Sequence, residues 1–210
     1  WTPKRFWTDV TLGEVQGGHA VLLDGKPIRT PAKAQLTLPT LPLAEAVAEE
    51  WAQQEDVLLP ATMPMTRLAN TSIDRVALEF AAVARIVAAY AETDLLCYRA
   101  KAPDELRRLQ DEAWDPLLDW AEDRFGARLL PTSGVVPIAQ PPEALHRLAA
   151  EVGSRSAWHL TPFHELVSLT GSLVLGLAVA DEVRLPEEGW ALSRIDEEWQ
   201  NAQWGRDAEA

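Results

Sequence analysis

The chain of 210 residues carries a formal net charge of −13, which disfavours nucleic acid and anionic membrane surfaces as partners because both are bound through Lys and Arg. It contains a single cysteine, Cys97, which excludes a disulfide within the chain and disfavours a cysteine-based zinc site. The longest apolar run, residues 166–180, is shorter than the about 20 residues that a membrane-spanning helix needs.

The first forty residues predict a small antiparallel β-sheet. Residues 5–10 mix aromatic and β-branched side chains, which favour strands. Asp24-Gly25 is a dipeptide favoured in type I′ hairpin turns, and Gly17-Gly18 breaks the chain before it. The predicted strands are 5–10, 19–23, 27–30 and 35–38.

From Thr40 onward the pattern becomes helical. Thr40 suits a helix cap, Pro42 suits a first turn, and Leu43, Val47 and Trp51 recur every four residues. Further helices are predicted near 66–73 and 75–92, then over 103–126 with a kink or restart at Pro116, 141–152, 161–180 and 186–204.

The order of these patterns predicts an α+β fold. A small N-terminal antiparallel β domain with one helix is expected over residues 1–62, and a larger all-helical C-terminal domain over residues 63–210. The negative charge is concentrated in the helical part: residues 1–70 carry 6 Lys and Arg against 8 Asp and Glu (net −2), and residues 71–210 carry 13 against 24 (net −11). An acidic helical surface of this kind favours either simple solvation or a basic protein partner.

Sequence motifs for catalysis are nearly absent. His164-Glu165 starts like a zinc-protease HExxH motif, but Ser168 stands where the second histidine is required. The four histidines are scattered, and neither a phosphate-binding glycine loop nor a GxSxG elbow is present. We therefore predict no catalytic residue, no cofactor and no metal. Small residues recur every four positions, which is typical of close helix contact rather than of chemistry: Ser168, Ser172, Gly176 and Ala180.

Tryptophan is unusually frequent, with nine residues in the chain. An indole contributes a large apolar area and an N–H donor, so it can anchor either a core or an interface. We predict core positions for Trp51, Trp114 and Trp120.

The last predicted helix, treated as straight, has two distinct faces. At about 100° per residue, one apolar sector is expected to face the core; it contains Leu192, Ile195, Trp199 and Ala202. Asp196 lies at the margin of this sector, and Glu197 lies opposite it with Trp190 and Trp204 nearby. These two indoles either form an exposed binding site for a partner or fold back onto neighbouring loops.

Several blocks along most of the chain resemble the ATP-twelve family of ATP synthase assembly chaperones. The block at 94–99 and the acidic terminal block at 192–200 are specific when they occur together. The matching blocks are Arg5-Phe6-Trp7, 23–31, 48–54, 63–66, 94–99, 114–117, 192–200 and Gln203-Trp204-Gly205.

This resemblance implies a fold and a function. It implies a β domain followed by a helical domain, and binding of the free α subunit of the F-type ATP synthase without cofactor or turnover. It assigns an acidic residue of the terminal helix to Asp196 and the tryptophan of the 48–54 block to Trp51. The implied compartment is the bacterial cytoplasm, which corresponds to the mitochondrial matrix of eukaryotic relatives.

We therefore expect the chain to bind a protein rather than to catalyse a reaction. The predicted partner-binding residues are Asp196, Glu197, Trp190 and Trp204, and Trp51 and Trp199 are predicted to be structural. Two alternatives stay open: an interaction module for a different partner, and a hydrolase that uses acidic residues.

Overall fold

The computed structural model describes residues 4–205, which form two compact units. The first unit contains residues 4–80 and 156–161, and the second contains residues 81–155 and 162–205. A small antiparallel sheet comes first and the remainder is mostly helical, with one pair of short strands, so the predicted α+β fold is confirmed.

The N-terminal sheet has three antiparallel strands, β1 (Val10–Val15), β2 (Gly18–Leu23) and β3 (Lys26–Pro27), in the order β1-β2-β3. Strand β1 begins where the predicted strand 5–10 ends. The start of the predicted strand pairs elsewhere: Lys4 forms an isolated bridge with Val57, and the backbone N–H of Arg5 donates to the carbonyl of Asp56 (3.0 Å). The guanidinium of Arg5 also donates hydrogen bonds to the carbonyls of Trp7 (3.0 Å) and Thr8 (3.2 Å). The predicted position of the first strand was therefore wrong by about one strand length.

The predicted hairpin turn is present between β2 and β3. Asp24 and Gly25 both have positive φ, 48° and 77°, as a type I′ turn requires. The Asp24 carboxylate also accepts hydrogen bonds from the backbone N–H groups of Asp9 (2.9 Å) and Thr8 (3.0 Å), which lower its pKa. The predicted strands 27–30 and 35–38 form only isolated bridges, Arg29 with Gln35 and His19 with Leu38, beyond the short β3.

Two helices pack within the first unit, α1 (Leu41–Ala52) and α2 (Pro64–Thr71), and a π-helical turn (Ser72–Val76) follows α2. Thr40 occupies the cap position of α1, although its side chain makes no cap hydrogen bond. Helix α1 covers the sheet. The core between them consists of Trp7, Val21, Leu23, Ile28, Leu36, Leu38, Ala44, Val47 and Ala69, with Trp158 packed against it.

The first unit extends past residue 62, where the sequence placed the end of the N-terminal domain. The reason is a buried carboxylate that joins α1 to the start of α2. Glu50 accepts hydrogen bonds from the backbone N–H groups of Met65 (2.6 Å) and Thr66 (2.8 Å) and from the Thr66 hydroxyl (2.7 Å). A carboxylate at a helix N-terminus satisfies N–H groups that lack partners inside the helix, so α2 is held against α1.

The remaining helices are α3 (Phe80–Ala89), α4 (Asp104–Phe125), α5 (Pro142–Gly153), α6 (Ala157–Thr170), α7 (Leu173–Ala180), α8 (Pro186–Ser193) and α9 (Ile195–Trp204). Two short strands, β4 (Tyr98–Arg99) and β5 (Thr132–Ser133), pair in parallel in the second unit. Helix α4 continues through Pro116, so the predicted restart does not occur. Pro116 has no N–H group to donate to the carbonyl of Glu112. Both residues are accessible to solvent, so water can replace the missing hydrogen bond.

The predicted apolar helix 161–180 is instead two helices, α6 and α7. Gly171 between them has a φ of 67°, and the Ser172 hydroxyl accepts the N–H of Leu175 (3.0 Å) to cap α7. The two helices then pack closely, because a Cβ added to Gly176 would lie 2.5 Å from Cγ2 of Val167 on α6. This is the kind of contact that the small-residue stripe predicts.

The predicted terminal helix 186–204 is also divided, into α8 and α9, so the straight-helix geometry was wrong. Arg194 leaves the helical conformation with φ −109° and ψ 10°. The carbonyl of Leu192 would accept the N–H of Asp196 in a continuous helix, but it accepts the indole N–H of Trp114 instead (2.9 Å). This hydrogen bond from α4 explains the break.

Candidate functional site

Helix α4 presents two buried polar side chains to the corner between α8 and α9. Gln110 and Trp114 are one turn apart and therefore share a helix face. The Gln110 amide accepts the backbone N–H of Ala100 (2.7 Å) and donates to the Asp196 carboxylate (2.5 Å). Trp114 donates to the carbonyl of Leu192. Hydrogen bonds from α4 thus hold both the end of α8 and the start of α9.

A buried arginine lies beside this pair. The Arg99 guanidinium donates to Asp111 and Asp115 of α4, each at 2.9 Å, and its Nε donates to the carbonyl of Leu96 (3.0 Å). It also lies 5.3 Å from the centroid of the Trp114 ring. A buried charge is tolerated when it is paired in this way. Arg99 therefore holds β4 against α4.

A cleft of about 430 Å³ opens next to Asp196. Tyr98, Ala100, Ala102 and Val135 contribute apolar walls, and Lys101 and Asp196 are charged residues of the lining. Arg99 also borders the cleft, but its side chain is buried. Among the described residues that line this cleft, Asp196 is the one acidic residue, so this cleft does not supply the pair of carboxylates that glycosidase chemistry uses. Its chemistry suits binding by apolar contact and charge.

The predicted partner-binding residues lie on two helices. Trp190 on α8 is 48% exposed and Trp204 at the end of α9 is 80% exposed. The guanidinium of Arg194, at the corner, lies 5.1 Å from the centroid of the Trp190 ring and forms an ion pair with exposed Glu197. The structure thus brings Trp190 and Glu197 together through Arg194, and places Trp204 at the far end of α9. Asp196 is partly buried.

The tryptophans predicted to be structural differ in burial. Trp114 is fully buried, which confirms the prediction for it. Trp51 is half-buried, with its ring centroid 5.1 Å from that of Trp7, and Trp120 is half-buried against Phe125. Trp199 is half-buried in α9.

The predicted core sector of the terminal helix is only partly correct. Its first member, Leu192, lies on α8, whereas Ile195, Trp199 and Ala202 lie on α9, which does not continue α8. Ala202 is exposed.

Asp94 and Cys97 are buried close together in the second unit. Burial raises the pKa of the Asp94 carboxyl to about 6 and, with the nearby Asp94 charge, raises the pKa of the Cys97 thiol to about 12. Cys97 is thus a small core residue, as predicted. Asp94 accepts the backbone N–H groups of Leu96 and Val174, both at 3.0 Å.

Gln110 and Asp94 were both missed as important residues. A signal for Gln110 was available, because it lies four residues from Leu106 and from Trp114 and is therefore a polar residue on an apolar helix face. A polar side chain at such a position requires a partner. The identity of that partner, Asp196, has no signal in the sequence.

Two other kinds of site are absent from residues 4–205. There, no group of three or more His, Cys, Asp or Glu side chains is arranged to hold a metal ion. Of the helices described, none is both long and apolar enough to cross a membrane.

Known proteins resemble this chain along most of its length. Residues 4–122 match the family model described as ATP12 chaperone protein. The fold is similar to the crystal structure of Atp12 from Paracoccus denitrificans, with a TM-score of 0.96 and 51% identity over 98% of this chain and 88% of that one. A P. denitrificans Atp12p variant with an aspartate-to-lysine substitution matches with the same TM-score and coverage at 50% identity. The mitochondrial protein atp12 of Schizosaccharomyces pombe is 25% identical over 220 residues, covering 96% of this chain and 74% of that protein.

Proposed function

Because this chain belongs to the ATP12 family of chaperones, we propose that it acts in assembly of the F-type ATP synthase by binding the free α subunit. It covers the surface of the α subunit that later contacts the β subunit, and the β subunit then displaces it. It works without a cofactor and without turnover, in the bacterial cytoplasm. Unassembled subunits expose apolar interface patches that aggregate, so a reversible cover is useful.

The observation that carries this proposal is the exposure of two indoles on an acidic helical segment. Trp190 and Trp204 are 48% and 80% exposed, although tryptophan side chains are usually well buried. The same two helices carry five acidic residues in their first turns: Glu187, Glu188, Asp196, Glu197 and Glu198. Aromatic anchors supply affinity at protein interfaces, and acidic surroundings steer a basic partner and favour release.

Within this proposal, Trp190, Trp204 and Glu197 contact the partner from the second unit, and the partly buried Asp196 supports this surface from the first turn of α9. Trp51 and Trp199 serve the fold. Glu197 is proposed to meet basic groups of the partner, since its side chain is exposed beside Trp190.

The test measures light scattering of purified α subunit with and without this protein. We expect the wild-type protein to suppress aggregation of the α subunit. The double variant Trp190→Ala, Trp204→Ala should bind about tenfold or more weakly, because exposed aromatic anchors contribute about 1–2 kcal/mol or more each. Phe6→Ala is a matched control, since Phe6 is also an exposed aromatic residue (77%) but lies in the first unit.

Two results would count against the proposal. Unchanged scattering with wild-type protein would contradict it directly. Recovery of a protein other than an ATP synthase subunit, bound at the same surface and lost in the double variant, would instead favour the general interaction module.

A further inference from the structure

We propose that Gln110 is a positioning residue for the partner surface, and that Asp196 acts mainly by accepting its hydrogen bond. This inference rests on the proposed function for its binding readout, while its structural part stands separately. Gln110 is only 1% exposed, so it cannot form a substantial contact with a partner. Any effect of Gln110 on binding must therefore act through the position of other residues.

The orientation of the Gln110 amide is determined by its surroundings. A backbone N–H can only donate a hydrogen bond, so the atom that faces Ala100 at 2.7 Å must be the side-chain oxygen. The NH2 group consequently faces Asp196 and donates to Oδ1. The carboxylate of Asp196 is thus used as an inward acceptor in the first turn of α9.

This hydrogen bond fixes the start of α9 relative to α8. Trp114 holds the last turn of α8 through the Leu192 carbonyl, and Gln110 holds α9 through Asp196. Arg194 between these two anchors bridges Trp190 and Glu197. If the Gln110 contact is lost, α9 is free to move about the corner, and the spacing of the indole and the acidic side chains changes.

Exchanging donor and acceptor tests this arrangement. Asp196→Asn keeps an acceptor oxygen for Gln110 while removing the charge. Gln110→Glu still accepts the Ala100 N–H but places a second carboxylate against Asp196. The double variant Gln110→Glu, Asp196→Asn restores the pair with reversed polarity, because the carboxylate introduced at position 110 can accept from both the Ala100 N–H and the new amide.

We expect Gln110→Glu to raise the Kd for purified ATP synthase α subunit by about tenfold or more at pH 8, because two facing carboxylates repel each other and the start of α9 loses its hydrogen bond to α4. Asp196→Asn and the double variant should remain within about threefold of wild type. Hydrogen exchange of the α9 amides in the free protein should accelerate in Gln110→Glu and return to normal in the double variant.

Three outcomes would overturn the proposal. These are unchanged α9 exchange in Gln110→Glu, changed exchange with unchanged binding, and weak binding by Asp196→Asn that the second substitution does not rescue. The last would show that the Asp196 charge itself contacts the partner. If wild-type protein does not bind the α subunit, the proposed function fails, and the exchange pattern alone decides whether Gln110 positions α9.

Discussion

Asp94 accepts a hydrogen bond from the backbone N–H of Val174 at 3.0 Å, although the two residues are 80 positions apart in the chain. Its other oxygen accepts the N–H of Leu96, also at 3.0 Å, and the Ser172 hydroxyl bonds to the same carboxyl group. One side chain therefore caps both the short 3₁₀ turn at Leu95–Cys97 and the start of α7. Because it is wholly buried, it couples the stability of these two segments to pH.

Asp94→Asn is expected to flatten the pH dependence of unfolding. The folded-state pKa of Asp94 is raised from its ordinary 3.8 to about 6. Its contribution to stability is thus fully present below about pH 3.8 and is lost as the pH rises through about 6, because the folded state retains the proton longer than the unfolded chain. At about 1.4 kcal/mol per pH unit, the loss is about 3 kcal/mol.

Urea unfolding of wild type and Asp94→Asn at acidic and neutral pH measures this effect. The free energy of unfolding of the variant minus that of wild type should rise by about 2 kcal/mol or slightly more between about pH 4 and about pH 7. Asp56→Asn, which removes an exposed carboxylate, is the control and should give a profile parallel to wild type. A parallel profile for Asp94→Asn would contradict the raised pKa.

Glu50→Gln is expected to lower the free energy of unfolding by about 1–3 kcal/mol. The carboxylate accepts three hydrogen bonds from Met65 and Thr66, and an amide would turn an NH2 group toward one of these donors. Glu49→Gln is a close control, since Glu49 is exposed and adjacent, and it should change stability by less than about 0.5 kcal/mol. Equal effects in the two variants in urea unfolding would exclude a capping role for Glu50.

Gly176→Ala should destabilise the protein by about 1–3 kcal/mol through overpacking between α6 and α7. The new methyl group would lie 2.5 Å from Cγ2 of Val167 and 3.3 Å from the Phe163 ring. Gly153→Ala, at the end of α5, meets no atom within 4 Å and should be neutral or stabilising by up to about 1 kcal/mol. Thermal unfolding of both variants compares them. A neutral Gly176→Ala would mean that the contact between the helices relaxes easily.

Asp196→Lys should lower stability by about 1–3 kcal/mol, because it leaves the buried Gln110 amide without its acceptor and places an ammonium next to that donor. Gln203→Lys introduces the same side chain at an exposed position of α9 and should stay within about 0.5 kcal/mol of wild type. Chemical denaturation gives both values. If Asp196→Lys were as stable as Gln203→Lys, the hydrogen bond to Gln110 would contribute nothing to holding α9.

Residue types in a short segment predicted the structure correctly where that structure depends only on neighbouring residues. Asp24-Gly25 predicted the hairpin correctly because few other residues adopt two successive positive φ angles. Boundaries were wrong where a group distant in sequence intervenes. Residues 4 and 5 pair with Val57 and Asp56 instead of extending β1, and Trp114 binds the carbonyl that would have continued α8. Neither contact can be recognised from the spacing of apolar residues within one segment.

By itself the sequence determined the order of strands and helices, the acidic character of the helical part and the family, because propensity, turn chemistry, composition and motifs are properties of short segments. Only the tertiary structure decided which side chains meet. The pairs Asp94–Val174 and Gln110–Asp196 join residues 80 and 86 positions apart. The same packing left Trp190 and Trp204 exposed while burying Trp114, since burial depends on which face of a helix finds a neighbour.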